Sequence, residues 1–278
     1  MTDRYAVIGN PIAHSRSPLI HAEFAKQTGQ DMRYEALLAP LDGFTDTVNA
    51  FRKQGGRGMN VTLPFKLQAF ALATEKSPRA LDAEAVNVFK FSSDSIFGDN
   101  TDGVGLTRDI TQNLGISIRD KRILLIGAGG AARGVIFPLL QEGPAGLTIA
   151  NRTIEKARQL ITRYLQVSFF KRTHLAASAF AELVGHSFDI VINASSASIS
   201  GATLPLPMDI FARGSLGYEM MYGKEGTPFL KFARNDGAAK TCDGLGMLVE
   251  QAAESFFLWR GIRPDTRFVL NKLKNSLA

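Results

Sequence analysis

The sequence predicts an α/β protein of two units, each built around a mostly parallel sheet. Three observations carry that expectation. At 278 residues the chain has the length of roughly two ordinary domains. Its first half alternates short apolar runs with helical patterns, as strands joined by helical crossovers do. Its middle holds one strand, glycine turn and helix, Lys121 to Gln141, whose glycine spacing has a specific chemical use. The expected division is residues 1–102 with 245–278 for one unit and 103–244 for the other.

The first unit follows from its punctuation. Arg4 to Gly9 reads as a strand that opens into the loop NPIAHSRSP, which Pro11 and Pro18 keep non-helical up to its end. Pro18 then suits a helix start, Leu19 to Thr28 continues the helix, and Gly29 stops it. Met32 to Leu38 is a second strand. Asp42 to Gln54 is a helix with Phe44, Val48 and Phe51 on one face and Gly55-Gly56 as its stop. Gly58 to Leu63 is a third strand, and Pro64-Phe65-Lys66 starts a helix to about Ala73. Ala85 to Ser92 and Ser95 to Gly98 read as short strands around a polar turn. Asp102 precedes the helical pattern Val104, Leu106, Ile110, Leu114, where it is placed to cap; that helix leads into the second unit.

The second unit opens with Ile123 to Ile126, a run of strand formers, followed by Gly127-x-Gly129-x-x-Ala132 and a helix from Ala131 to Gln141. Gly127 permits the tight turn, Gly129 lets backbone approach a pyrophosphate, and Ala132 lets the helix pack on the strand. The helix start then offers free N–H groups and its positive end to phosphates. The bare pattern also fits a plain turn between core elements; the flanking strand and helix favour dinucleotide binding. No Lys-Ser or Lys-Thr follows the glycines, which excludes a Walker loop. The expected fold of this unit is therefore a Rossmann-type doubly wound domain.

The next strand, Leu147 to Ala150, selects the nucleotide. An NAD site places Asp or Glu at this strand tip for the ribose hydroxyl. Here Asn151-Arg152-Thr153 follow, with Lys156 a turn later. The planar fork of Arg152 suits a phosphate, so NADP is expected rather than NAD. A solvated arginine opening a helix is the plainer alternative, but a cation in a first turn opposes the helix dipole, and a bound phosphate accounts for it. Thr153 to about Leu165 is a helix, Phe188 to Asn193 a buried strand before a polar loop, and Gly217 to Tyr222 and Ala238 to Cys242 the last strands. Met247, Leu248, Gln251, Ala252 and Phe256 keep helical spacing up to Gly261, and Pro264 to Lys274 is a final helix.

Composition removes whole classes of function. A net charge of +6 is spread without a run of basic residues, which argues against nucleic acid and suits small anionic ligands. One cysteine, Cys242, rules out internal disulfides and multi-cysteine metal sites. The four histidines form no ligand cluster, so no metal is expected. Without a signal-like N-terminus or an apolar run near ~20 residues, no membrane partner is expected and the cytoplasm is the expected compartment.

Polar residues gather where strands end. Ser15 and Ser17 lie in the first loop. Asn60 and Thr62 are two apart in the third strand, so both should face one side. Asn87 starts the next strand, and Asp102 precedes its helix. Ligands of such sheets sit at the carboxyl ends of strands, and this set can bind a polyhydroxylated anion. Taken singly, each is as well explained as a cap or turn residue. Lys66 is the exception, because the dipole disfavours a cation in a first turn. A lysine there is suited to exchanging a proton, with Asp102 as the compensating carboxylate.

Eight motifs stand in order: GNPIAHSRSPLIH, GMNVTLPFK, AVNV, NTDGVG, GAGGAAR, NRT, YEMMYGKEGTPFL and GMLVEQAAESFFLW. Through them the chain resembles the shikimate dehydrogenase family over nearly its whole length. The resemblance implies NADPH-dependent reduction of 3-dehydroshikimate to shikimate, a step of aromatic amino-acid biosynthesis, by a monomer or homodimer. It implies a substrate-binding and catalytic domain of residues 1–102 and 245–278, an NADP domain of residues 103–244, and closure of a cleft between them. It makes Lys66 the catalytic acid/base, with Asp102 on the reacting hydroxyl. Ser15 and Ser17 would hold the substrate carboxylate, and Asn60, Thr62, Asn87, Tyr222 and Gln251 the rest of the substrate. NADP would meet Gly127, Ala128, Gly129, Gly130, Ala131, Asn151, Arg152, Thr153, Lys156, Met220 and Gly244. The chain departs from the commoner pattern at Ser195, Ser198, Glu219 and Lys156, where Thr, Gly, Asp and Arg are more usual. Two rivals remain: a quinate/shikimate dehydrogenase using NAD, and a non-catalytic NADP-sensing module.

Overall fold

Runs of β-branched and apolar residues, cut by glycine and proline, build two sheets in the computed structural model, which describes residues 2–165, 172–197, 201–223 and 226–277. The chain divides into two units, Met1–Leu106 with Leu248–Ala278, and Thr107–Met247. Both boundaries lie a few residues from those expected.

The first unit holds β1 (Asp3–Gly9), α1 (Ser17–Thr28), β2 (Met32–Leu38), α2 (Phe44–Lys53), β3 (Gly56–Val61), α3 (Lys66–Leu72), β4 (Glu75–Lys76), α4 (Pro78–Ala83), β5 (Val88–Phe91), β6 (Ile96–Asp99) and the start of α5 (Asp102–Arg108). Its sheet runs β2-β1-β3-β5-β6-β4. β1 is parallel to β2 and β3, and β4 to β6, while β5 is antiparallel to both β3 and β6. Phe44, Val48 and Phe51 of α2 pack with Ile8, Met59, Val61 and Phe65 on one face. Tyr5, Val88 and Trp259 pack on one another in a separate buried cluster.

The second unit holds a π-helical turn (Asp109–Asn113), β7 (Arg122–Ile126), α6 (Gly130–Gln141), β8 (Gly146–Ala150), α7 (Ile154–Leu165), β9 (His174–Ser178), β10 (Phe188–Asn193), β11 (Phe211–Glu219), α8 (Pro228–Asn235) and β12 (Lys240–Cys242). α9 (Leu245–Arg260) starts here and continues into the first unit, which α10 (Thr266–Leu277) ends. The sheet order is β12-β11-β10-β7-β8-β9 with every pair parallel. Counted within the unit this is the 3-2-1-4-5-6 order of a doubly wound fold, whose switch point falls between β7 and β10. Leu124, Ile126, Val191 and Phe229 anchor one side of its core.

Several local expectations need correction. β3 stops at Val61, one residue short of Thr62. Thr62 lies in the turn before α3, donating its N–H to the Ile8 carbonyl at 3.0 Å. α3 starts at Lys66 rather than Pro64. β11 begins at Phe211 and ends at Glu219, leaving Tyr222 beyond it. β4, α4, β9 and α8 were not anticipated. α8 nevertheless carries a proper start, with Thr227 accepting from the Leu230 N–H and proline in the first turn.

α4 also brings in a buried ion network. Arg79 binds Asp99 through two nitrogens and Glu254 at 3.0 Å, and Arg263 reaches Glu254 at 2.6 Å. Burial would raise the Glu254 carboxyl, but Arg263 and Arg79 outweigh it and hold the group at about 2, against 4.5 ordinarily. A lowered carboxyl stabilises the fold above its unfolded value and loses that contribution as pH falls through the folded one. Glu254→Gln is therefore expected to cost on the order of 1–2 kcal/mol at pH 7, less than the whole shift because solvent screens part of the network. The gap to the parent should narrow between about pH 4.5 and 2. Urea melts across that range check both statements.

Candidate active site

The carboxyl edge of the first sheet assembles from four chain segments. β3 delivers Asn60, and the turn after it ends in α3, whose first residue is Lys66. β5 runs the other way, so Asn87, just before it, lies at the same edge. The Val61 N–H donates to the Asn87 carbonyl at 2.7 Å. β6 returns to that edge and ends in Asn100-Thr101-Asp102, the start of α5. α9 supplies Gln251 and Ser255, one helical turn apart.

Lys66 Nζ donates to Asp102 Oδ2 at 2.5 Å, with side chains 13% and 6% exposed. The cation at the start of α3 has no acid in its own first turn. Asp102 supplies the missing charge, and as the first residue of α5 it lies where a dipole favours an anion. Asn87 Nδ2 donates to Asp102 Oδ1 at 2.8 Å. It also stands 2.9 Å from Thr101 Oγ1 and 3.3 Å from Gln251 Oε1. The Thr101 N–H in turn donates to Asn87 Oδ1 at 2.8 Å. Both carboxylate oxygens of Asp102 are thus held, one by an amine and one by an amide. A carboxylate fixed in this way can orient the amine toward a ligand oxygen.

Of the first-unit residues expected to bind substrate, Asn60, Lys66, Asn87, Asp102 and Gln251 are drawn into this buried region. Asn60 Nδ2 reaches Ser255 Oγ at 2.9 Å and the Asn87 carbonyl at 3.3 Å. Ser15 and Ser17 form a local pair, the Ser17 N–H donating to Ser15 Oγ at 3.3 Å. The Thr62 side chain lies over Gly9, at the end of β1. Thr101, Ser255 and Tyr34 are members of the network that sequence reasoning did not single out. Ser255 had a readable signal, four residues after Gln251 on one helix face; Tyr34 looks like any alternating strand residue.

In the second unit, Gly127 has φ +112°, and a Cβ there would come within 3.1 Å of the Ala194 backbone. Only glycine fits. A Cβ on Gly129, by contrast, would meet nothing within 4 Å. α6 starts at Gly130 without a side-chain cap, so its first N–H groups, from Gly130 and Ala131 on, lack intrahelical partners. Ala128 precedes them in the turn. The tip of β8 carries Asn151, whose side chain donates to the Thr153 carbonyl at 2.8 Å and shapes the turn. Arg152, Thr153 and Lys156 are exposed there. Among the described residues Arg152 and Lys156 have no ion-pair partner. An uncapped helix start and two cations without an ion-pair partner among the described residues fit a pyrophosphate and a 2′-phosphate.

The carboxyl ends of β10 and β11 are tied by buried Glu219. It accepts from Asn193 Nδ2 and Thr227 Oγ1, both at 2.9 Å, and from the Met221 N–H at 3.2 Å. Ser195 Oγ donates to Asn193 Oδ1 at 2.7 Å; Ser198 lies outside the described residues. Met220 and Gly244 adjoin, since a Cβ on Gly244 would fall 2.1 Å from the Met220 carbonyl oxygen. Tyr222 is half-buried two residues further on. Among the described residues no cluster of His, Cys, Asp and Glu is arranged to hold a metal, and no helix is long and apolar enough to cross a membrane.

A doubly wound sheet with an open glycine turn and a basic strand tip is the architecture of NADP-linked oxidoreductases. A buried amine–carboxylate pair is what such an enzyme needs to move a proton at a substrate oxygen. Comparison with known proteins narrows this class. Residues 7–89 match the shikimate dehydrogenase substrate binding domain, 108–200 the shikimate/quinate 5-dehydrogenase family, and 244–274 the shikimate 5′-dehydrogenase C-terminal domain. A shikimate dehydrogenase (NADP+) of Nitrosospira multiformis is 60% identical over 100% of this chain and 99% of its own. An Ael1 enzyme from Pseudomonas putida superposes with a TM-score of 0.89 at 51% identity, covering 98% of both chains. The Thermus thermophilus shikimate 5-dehydrogenase, solved with NADP(H) and shikimate, gives 0.84 at 31% identity over 98% of this chain and 99% of that one. The chain belongs to the shikimate dehydrogenase family.

Proposed function

We propose that the chain is an NADP-dependent shikimate dehydrogenase that reversibly reduces 3-dehydroshikimate to shikimate. The observation that carries the reading is the buried Lys66–Asp102 pair at the carboxyl edge of the first sheet, in a chain of this family. The first unit serves as the substrate-binding and catalytic domain and the second as the NADP domain. When bound, NADPH supplies the hydride. Lys66 Nζ gives a proton to the oxygen formed from the ketone and takes it back in the reverse direction. Asp102 keeps the amine aimed and accepts from the reacting hydroxyl. Ser15 and Ser17 hold the substrate carboxylate, and Asn60, Thr62, Asn87, Gln251 and Tyr222 the remaining ring groups. Gly127 to Ala131 receive the pyrophosphate, Asn151, Arg152, Thr153 and Lys156 the phosphorylated ribose, and the Met220 and Gly244 backbones the nicotinamide.

The same reading makes the partner a small molecule rather than nucleic acid or a membrane, the state a monomer or homodimer, and the compartment the cytoplasm. Its test is an assay of the purified protein that crosses shikimate and quinate with NADP+ and NAD+. Fast reduction of NADP+ by shikimate alone is expected. Preference for quinate or NAD+ would make the rival dehydrogenase correct, and absence of turnover with every pair would leave a sensing role.

A further inference from the structure

Asn60 has both ends of its amide committed before any ligand arrives. An amide offers two N–H donors and one oxygen with two lone pairs. Nδ2 spends its hydrogens on Ser255 Oγ at 2.9 Å and the Asn87 carbonyl at 3.3 Å. Ser255 in turn donates its own hydrogen to the Gln251 carbonyl at 3.0 Å, so toward Asn60 it accepts. At the other end the Tyr34 hydroxyl donates to Asn60 Oδ1 at 2.8 Å. Turning the amide over would set Oδ1 against the Asn87 carbonyl and leave buried groups unpaired, which is costly. What Asn60 still has to offer is the second lone pair on Oδ1.

Tyr34 is itself held in place. Its ring stacks on His21 at 4.2 Å with 12° between planes. His21 is fully buried, and neither of its nitrogens has a hydrogen-bond partner among the described residues. Burial pushes its imidazole down to about 3, so it is a neutral, flat platform. Burial likewise drives the Tyr34 phenol well above its ordinary range, with the Ser17 hydroxyl opposing, so it stays protonated and remains a donor.

We propose that Tyr34, seated on His21, is a positioning residue that fixes Asn60 with only an acceptor facing the substrate, so that the site selects a ligand bearing a hydroxyl at that point. The inference rests on Asn60 being a substrate-binding residue. Tyr34 need not touch the substrate: it acts through Asn60, and repeating the change in a Ser17→Ala background separates this from its contact with Ser17.

Tyr34→Phe removes the hydroxyl and keeps the ring on its platform. The KM for shikimate is expected to rise roughly 3- to 15-fold, the loss of one buried hydrogen bond, with kcat falling less. The KM for NADP+ should stay close to the parent's, and the melting temperature should fall by no more than the few degrees that one hydrogen bond is worth. In an Asn60→Ala background the same change should add nothing, because the residue it positions is gone. A purely structural role would lower stability without raising the KM for shikimate, or would act alike in both backgrounds. An active parent whose Tyr34→Phe variant keeps its KM for shikimate, or shows the full rise without Asn60, overturns this inference alone. A parent that neither oxidises nor binds shikimate overturns the functional reading and this inference with it.

Discussion

Lys66→Ala is expected to lower kcat by about 10²- to 10⁴-fold, the range for removing a positioned acid/base, while shikimate still binds. The expectation follows from the burial of the pair. Lys66 and Asp102 touch at 2.5 Å, with side chains only 13% and 6% exposed, so the amine is held in one place as the proton donor. Asp102 stays anchored in the variant, because Asn87 still donates to its other oxygen at 2.8 Å. Binding and chemistry should therefore separate. Steady-state rates with calorimetric titration of shikimate resolve the two. Turnover within a few-fold of the parent would remove Lys66 from the chemistry.

Arg152→Ala is expected to raise the KM for NADP+ by roughly 10- to 100-fold, the worth of hydrogen bonds to a charged group, and to leave NAD+ nearly untouched. Arg152 is exposed at the β8 tip, and no carboxylate stands there. Its neighbour Lys156 is a point charge rather than a fork, so it cannot replace the paired contacts, though it keeps part of the attraction. Initial rates with both nucleotides measure the discrimination. Equal losses for the two would place Arg152 away from the 2′-phosphate.

Much of the scaffold was legible because single residues forced local outcomes. The apolar runs Ile123–Ile126 and Phe188–Asn193 could hardly be anything but buried strands, and Gly29 and Gly261 end helices at positive φ. The Lys66–Asp102 contact was legible for an electrostatic reason: a cation at a helix start needs a compensating anion. What stayed hidden depends on partners far along the chain. β4 is two residues long and exists only by pairing with β6. β9, with the sequence HLAAS, has no β-branched residue and is a strand only because β8 lies beside it. The end of β3 at Val61 rather than Leu63 has no local marker. Tyr34 and Thr101 acquire meaning only through contacts with Asn60 and Asn87, which no periodicity reports.

The first unit is discontinuous in sequence: residues up to 106 must wait for those from 248 onward. Gln251, Ser255, Glu254 and Trp259 all come from the late segment, and each fills a polar or apolar vacancy left by the early one. During synthesis the second unit, whose sheet is contiguous, can fold while the first is still open. A chain truncated before residue 248 would thus keep every strand of the nucleotide domain and lack the Gln251 and Ser255 that complete the substrate site.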